Sequence, residues 1–85
     1  MSRRYFSLLI RHEPNLPWSL EYGSYDRMDV MEERASYRAA YSIPKNRTMV
    51  ITTNPRQVCI NAEVNNQNKR LVEAGIIKDF NPLPV

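Results

Sequence analysis

The sequence predicts an α+β fold: a small two-layer sandwich of order ββαβα(β), with a mainly antiparallel sheet and the helices on one face. Three observations predict it. Short stretches alternate apolar and polar residues with period two, as half-buried strands do. Two longer stretches repeat apolar residues at helical spacing. Proline, glycine, asparagine and aspartate punctuate the junctions between them. At 85 residues, with 42% hydrophobic and 25% charged residues, the chain is sized for one domain. That domain is placed over residues 1–80, with 81–85 as a tail.

The first strand lies in "RRYFSLLIRH", Arg3–His12. Phe6, Leu8 and Ile10 share one face, Tyr5 and Leu9 the other, so both faces are apolar and the strand belongs in the middle of the sheet. "EPNLP" is a turn. "WSLEY", Trp18–Tyr22, is the returning strand, with Trp18, Leu20 and Tyr22 on one side and Gly23 breaking the chain after it. Ser24 or Asp26 caps a helix over Asp26–Tyr41, which Pro44 stops. "RTMVITT", Arg47–Thr53, is β-branched and reads as a third strand. A helical crossover places it beside either the second strand or the first, and the two apolar faces of the first strand favour the first, which leaves that strand in the middle. Asn54 as cap and Pro55 as first helical residue start the second helix. Ile60, Val64, Gln67, Leu71 and Ala74 form its apolar stripe. Gly75 is its left-handed stop, with Ile76 folding back on the last turn. "IIKDF" is expected to be a short final strand, and "NPLPV" a proline-limited tail.

The first helix carries the most distinctive pattern. At about 100° per residue, Met28, Met31, Ala35 and Ala39 share one face and Val30, Tyr37 and Tyr41 a second. Arg27, Arg34 and Arg38 lie between them, with Asp29, Glu32 and Glu33 on the far side. Arginine and tyrosine dominate binding hot spots. The candidate binding residues are therefore Arg27, Arg34, Arg38, Tyr25, Tyr37 and Tyr41, for protein or for nucleic acid. The competing reading is that arginine stems cover the edges of a core helix while their heads stay in water. Trp18, Tyr22 and Tyr25 read either as an exposed protein-binding cluster or, for Trp18 and Tyr22, as core beneath the helix with Tyr25 seating its start; the core is the expectation for Trp18.

Catalytic chemistry is thin. His12 is the single histidine and has only Glu13 beside it in sequence, which makes neither a metal site nor a triad. Cys59, the single cysteine, forms no internal disulfide and sits in the first turn of the second helix, where an inert thiol is expected. No phosphate loop, dinucleotide fingerprint or nucleophile elbow occurs. The reading is a protein that is not an enzyme, with no cofactor and no metal. The longest apolar run is too short to span a membrane, and the sequence opens without a secretory pattern. A soluble, cytoplasmic protein is expected. The formal net charge of +3 permits nucleic acid or an acidic protein partner without demanding either.

The stretches "RRYFSLLIR", "WSLEYGSYDRMDVMEERASY" and "MVIT" resemble a loose family of short uncharacterised proteins of tailed bacteriophages and prophages. The residues that carry the resemblance are Trp18, Tyr22, Gly23, Tyr25, Asp26, Arg27, Val30, Glu33, Arg34, Tyr37 and Val50–Ile51. "EAGIIKDFNPLPV" departs from that pattern. The resemblance implies a phage gene product acting in a bacterial host cytoplasm, of the host-takeover or anti-defence type, and assigns no site residues. The function expected is a small accessory protein that binds a host or phage protein. One alternative is a nucleic-acid-binding module using the arginine and tyrosine stripe with Arg3, Arg4, Lys45, Arg47 and Arg56. The other is a homo-oligomeric structural or assembly protein joined through a sheet edge.

Overall fold

The computed structural model describes residues 3–85. Its elements run β1 (Tyr5–Ile10), β2 (Ser19–Ser24), α1 (Arg27–Tyr41), a 3-10 turn (Lys45–Arg47), β3 (Thr48–Thr53) and α2 (Gln57–Glu73). The sheet order is β2-β1-β3, and both pairings are antiparallel. The α+β class, the antiparallel sheet and the central position of β1 are as the sequence predicts.

The placement of the helices differs from the expectation. Leu8 and Ile10 pack with Val30 of α1 and with Ile43, joined by Phe6, Tyr22, Tyr37 and Val50. Leu9 packs with Ile51, with Val64 and Leu71 of α2, and with Trp18 and Ile77. Successive residues of a strand point to opposite faces, so α1 covers one face of the sheet and α2 the other, giving three layers rather than two. The physical reason lies in β1 itself. Ser7, Leu8, Leu9 and Ile10 have no solvent exposure, and an apolar surface on both sides of a strand needs cover on both sides.

Strand β2 departs from simple alternation. Leu8 is paired with Tyr22 but Leu9 with Leu20, which leaves Glu21 as a bulge. One extra residue reverses the side-chain parity that follows it. Tyr22 therefore faces α1 while Trp18 joins the α2 side, so the two aromatics do not share a face as their spacing predicts. Gly23 does not break the strand. It pairs with Ser7 inside β2, and a Cβ there would lie 2.8 Å from Cε2 of Tyr5. The ring of Tyr5 lies across the glycine and covers its bare backbone.

The helix ends follow local chemistry. Asp26 caps α1 by accepting from the Met28 N–H at 3.0 Å, and Asp29 lies in the positive first turn. Ser42, in a left-handed conformation at φ 53°, ends the helix before Pro44 does. At the start of α2, Asn54 accepts from the Arg56 N–H at 3.0 Å. This is an Asx turn, and the helix begins at Gln57 rather than at Pro55. At its far end Gly75 takes φ 74°. Its N–H bonds to Val72 O, and the Ile76 N–H to Leu71 O at 2.9 Å, the two bonds of a Schellman stop. Ile76–Phe80 forms no strand. Ile77 is buried in the α2-side core and Phe80 packs against it.

The stripe on α2 also differs from the predicted one. The buried residues are Ile60, Asn61, Val64, Asn68 and Leu71, with asparagines where Gln67 and Ala74 were expected. Asn68, 4% exposed, accepts from the Trp18 N–H at 2.6 Å and donates to Trp18 O at 3.3 Å. One side-chain amide thus satisfies both backbone groups at the entrance to β2 and ties that edge of the sheet to α2. Asn68→Ala leaves a buried donor and acceptor without partners and is expected to destabilise the fold by about 2 kcal/mol or more. The exposed Asn66→Ala should stay within about 0.5 kcal/mol. Urea unfolding of the two variants side by side makes the comparison; equal midpoints would show that the clamp contributes nothing.

Candidate binding surfaces

The structure spreads the six predicted binding residues from Tyr25, just before α1, to Tyr41 at its end and gives several of them structural work. Only Val30 of α1 is fully buried, and Met31, Glu33, Arg34 and Tyr37 are half-buried. The helix therefore faces the sheet through Val30, its neighbours Glu33 and Arg34, and Tyr37. Arg34 Nε donates to Thr48 Oγ1 at 2.7 Å, tying α1 to the start of β3. Arg38 Nε donates to Ile43 O at 3.2 Å and braces the turn after the helix. Tyr37 packs in the α1-side core and against the Tyr41 ring, with centroids 5.8 Å apart. Tyr25 stands at the other end. Its ring meets Tyr5 edge-on at 5.0 Å, and the Arg3 guanidinium lies 4.0 Å above it, a cation–π contact. Arg27 is exposed.

What α1 turns to solvent is the other apolar face. Met28 is 61% exposed, and Tyr25 and Tyr41 are exposed at the two ends. Ala35 and Ala39 continue the outward stripe. Among the described residues the only contact within 4.0 Å between a basic and an acidic side chain joins His12 and Glu21, so Arg27, Arg34 and Arg38 carry no carboxylate partner. The outward face is an apolar strip bordered on one side by uncompensated positive charge.

His12, Ser19 and Glu21 meet at the edge of β2. Ser19 Oγ donates to Glu21 Oε2 at 2.5 Å, and His12 Nε2 lies 3.5 Å from the same oxygen. Tyr41 touches His12 edge-on at 6.2 Å between centroids. The order of groups matters. The carboxylate stands between hydroxyl and imidazole, so the imidazole has no contact through which to take the serine proton, as nucleophile activation requires. The cluster reads as a brace between the 12–17 turn and β2. Cys59 is half-buried and unpaired.

Two arginines, Arg11 buried and Arg47 half-buried, stand out at the end of β1. Arg11 and Arg47 are neighbours, joined by the Arg11 N–H to Arg47 O bond at 2.9 Å. Arg11 donates to Pro14 O and lies 5.5 Å from the Trp18 ring centroid. The Nε of each has no partner. Burial, and then the charge of Arg47, lowers the Arg11 pKa from its ordinary value. Arg47, which the nucleic-acid alternative counts among its contacts, is half-buried beside a like charge.

A second surface is a groove of about 720 Å³ on the α2 side, where α2 leaves β2 uncovered. Trp18, Leu20, Val64 and Leu83 give it apolar walls, and Gln57, Asn61 and Asn68 give it amides. Nothing in the hydropathy pattern marks this groove; the asparagines at 61 and 68 were the available signal. No family model, no curated protein and no solved structure matches the chain. Among the described residues no helix is long and apolar enough to cross a membrane.

Two predictions follow from the charges. Arg47→Met removes an unpartnered buried nitrogen and a like-charge contact, and a volume-matched apolar residue at such a site is usually neutral or stabilising. The thermal midpoint should stay level or rise; a fall of several degrees would mean that Arg47 is paired in solution. The second concerns Tyr22 and Tyr37. Partial burial first, and then the carboxylates nearby (Asp29 and Glu33 for Tyr22, Glu21 and Glu33 for Tyr37), raise both phenols above the ordinary value of 10.0. A raised folded-state value means that stability is fully present below about pH 10 and lost as pH rises through the folded values. Chemical unfolding at about pH 8 and about pH 11 should show that loss, and Tyr22→Phe should reduce it.

Proposed function

We propose that the chain is a small non-enzymatic accessory protein that binds a host or phage protein through the outward face of α1. The observation that carries this reading is the exposed strip of Met28, Ala35 and Ala39, flanked by Tyr25 and Tyr41 and bordered by Arg27, Arg34 and Arg38. Exposed apolar surface of this kind marks contact sites. Arginine and tyrosine at its border supply the residue types of binding hot spots. The partner that fits is a protein with an apolar ridge beside carboxylates, which would also neutralise arginines that have no carboxylate of their own.

The resemblance to short phage proteins supplies the proposed setting, a bacterial host cytoplasm during takeover or evasion of defence. Within the resemblance pattern, Asp26 caps α1, Val30 fills the core, Gly23 lies under Tyr5 and Arg34 holds Thr48. Those residues maintain the fold, which moves the contact role toward Met28, Arg27, Tyr25 and Tyr41.

The test is capture from nuclease-treated bacterial lysate with the native chain and with Met28→Glu/Ala35→Glu, two helix-compatible changes at exposed positions. One dominant protein is expected with the native chain and its loss, by about tenfold or more, with the variant. Equal capture by both would remove the α1 face from consideration. Recovery that depends on nucleic acid would move the arginines to phosphate binding, with a steep salt dependence.

A further inference from the structure

The segment Phe80–Val85 has no regular secondary structure, yet it occupies a defined bed along α2. Asn65 Nδ2 donates to Leu83 O at 2.9 Å, and Asn65 Oδ1 accepts from the Leu83 N–H at 2.8 Å. One turn away, Asn61 Nδ2 donates to Pro84 O at 2.8 Å. Gln57 donates to Asn61 Oδ1 at 2.8 Å, which fixes the Asn61 amide with its N–H₂ toward the segment. These contacts read backbone, not side chains.

The hydrogen-bond complement is specific. Proline has no backbone N–H, so between Asn81 and Val85 the segment "NPLPV" offers a single internal donor, that of Leu83. The helix presents one acceptor for it, Asn65 Oδ1, and two donors for the carbonyls that follow. The two prolines leave no further N–H inside the segment for the helix to satisfy, and they restrict the segment to extended backbone before it docks. Leu83 and Phe80 supply apolar anchors against the α2-side core. Pro82, Pro84 and Val85 remain exposed.

The resident segment forms a ridge between two open spaces. On one side is the groove of about 720 Å³ with Trp18, Leu20 and Val64. On the other is a cavity of about 340 Å³ lined by Ala62, Asn66, Lys69, Phe80, Pro82 and Val85. Leu16 and Leu20 stay 41% and 36% exposed beside the larger one. An extended ligand that followed the same bed and reached sideways would cover surface that Phe80–Val85 leaves open. Extended proline-bearing segments are suited to such beds, because they lose little chain entropy on docking.

We propose that the face of α2 bearing Asn61 and Asn65 is a receptor site for extended polypeptide segments with a proline–aliphatic–proline core. The chain's own Phe80–Val85 is its resident occupant, and a segment of another protein with that chemistry displaces it. This surface lies on the opposite side of the sheet from the α1 strip and stands or falls separately from it.

The experiment uses the full chain carrying Leu83→Asp, which releases the resident anchor, and a fluorescent synthetic peptide of sequence DFNPLPV. Saturable binding by anisotropy is expected with Leu83→Asp. The unmodified chain should bind at least about tenfold more weakly, because a tethered occupant competes at millimolar effective concentration. Adding Asn65→Ala should abolish binding, replacing both prolines of the peptide by alanine should weaken it several-fold, and Met28→Glu/Ala35→Glu should leave it unchanged. No saturable binding to a Leu83→Asp chain with an unaltered circular dichroism spectrum would overturn the proposal. So would a native dimer that Leu83→Asp dissociates, since the occupant would then be a second copy. If Leu83→Asp does not fold, amide exchange in the native chain decides. The Leu83 N–H should exchange through a local opening, faster than the amides of Val64 and Leu71, and equal protection would overturn the proposal.

Discussion

The burial of β1 from both sides is the constraint on which the rest of the structure depends. Leu8 and Ile10 need cover on one face and Leu9 on the other. A three-stranded sheet supplies only neighbours in its own plane, so each face must take a helix. The chain order meets this with one helix after β2 and one after β3. Each helix spends its few inward residues on β1 and its partners: Val30 and Tyr37 from α1, and Val64 and Leu71 from α2. In a domain this small such layers are thin. That is why α1 buries only one residue completely and leaves an apolar strip outside. The candidate contact surface is a geometric consequence of dividing a small set of apolar residues between two faces.

Much of this was legible in the sequence, and the failures have physical causes. Period-two alternation located β1 and β2, β-branched composition located β3, and the two apolar faces of β1 placed it centrally. The same observation already implied cover on both sides; a two-layer arrangement would have left either Leu9 or the pair Leu8 and Ile10 in water. The bulge at Glu21 was not legible, because alternation in "WSLEY" is unbroken and only the pairing with β1 reveals the extra residue. Gly23 read as a break because a glycine's role depends on what lies across it, here the ring of Tyr5. Asn61 and Asn68 escaped the α2 stripe because their burial is tolerated only through long-range partners at Pro84 and Trp18.

The candidate site was legible in part for a related reason. Helical angles separate α1 into faces correctly, but they do not say which face meets the sheet. The choice falls to Val30 and Tyr37, leaving Met28 outside, because β-branched and aromatic bulk fills the space above Leu8 and Ile10. Arg34 and Arg38 flank that buried face, so their Nε groups find Thr48 and the carbonyl of Ile43. The reading of arginine stems as edge cover and the reading of arginines as a contact surface are therefore not exclusive. A guanidinium carries five donors, and each of these bonds uses one. The remaining N–H groups and the positive charge stay available to a partner. Anchoring through Nε also limits the rotamer entropy that such a partner would have to offset.

The same economy appears on α2, with amides in place of guanidinium groups. A short domain has little apolar surface with which to hold irregular chain, and backbone without secondary structure brings unpaired N–H and C=O groups. Asn65 and Asn68 answer this identically, each accepting one N–H and donating to one C=O of the same residue. Their surroundings then separate them. Asn68 holds Trp18, whose side chain is 8% exposed and locked into the core, so that clamp is structural. Asn65 holds Leu83, half-buried between exposed prolines. The same hydrogen-bond geometry therefore secures a permanent part of the fold at one position and, three residues earlier on the helix, a segment with far less burial to retain it. Where the polar contacts are equal, the difference in apolar burial decides which segment opens first.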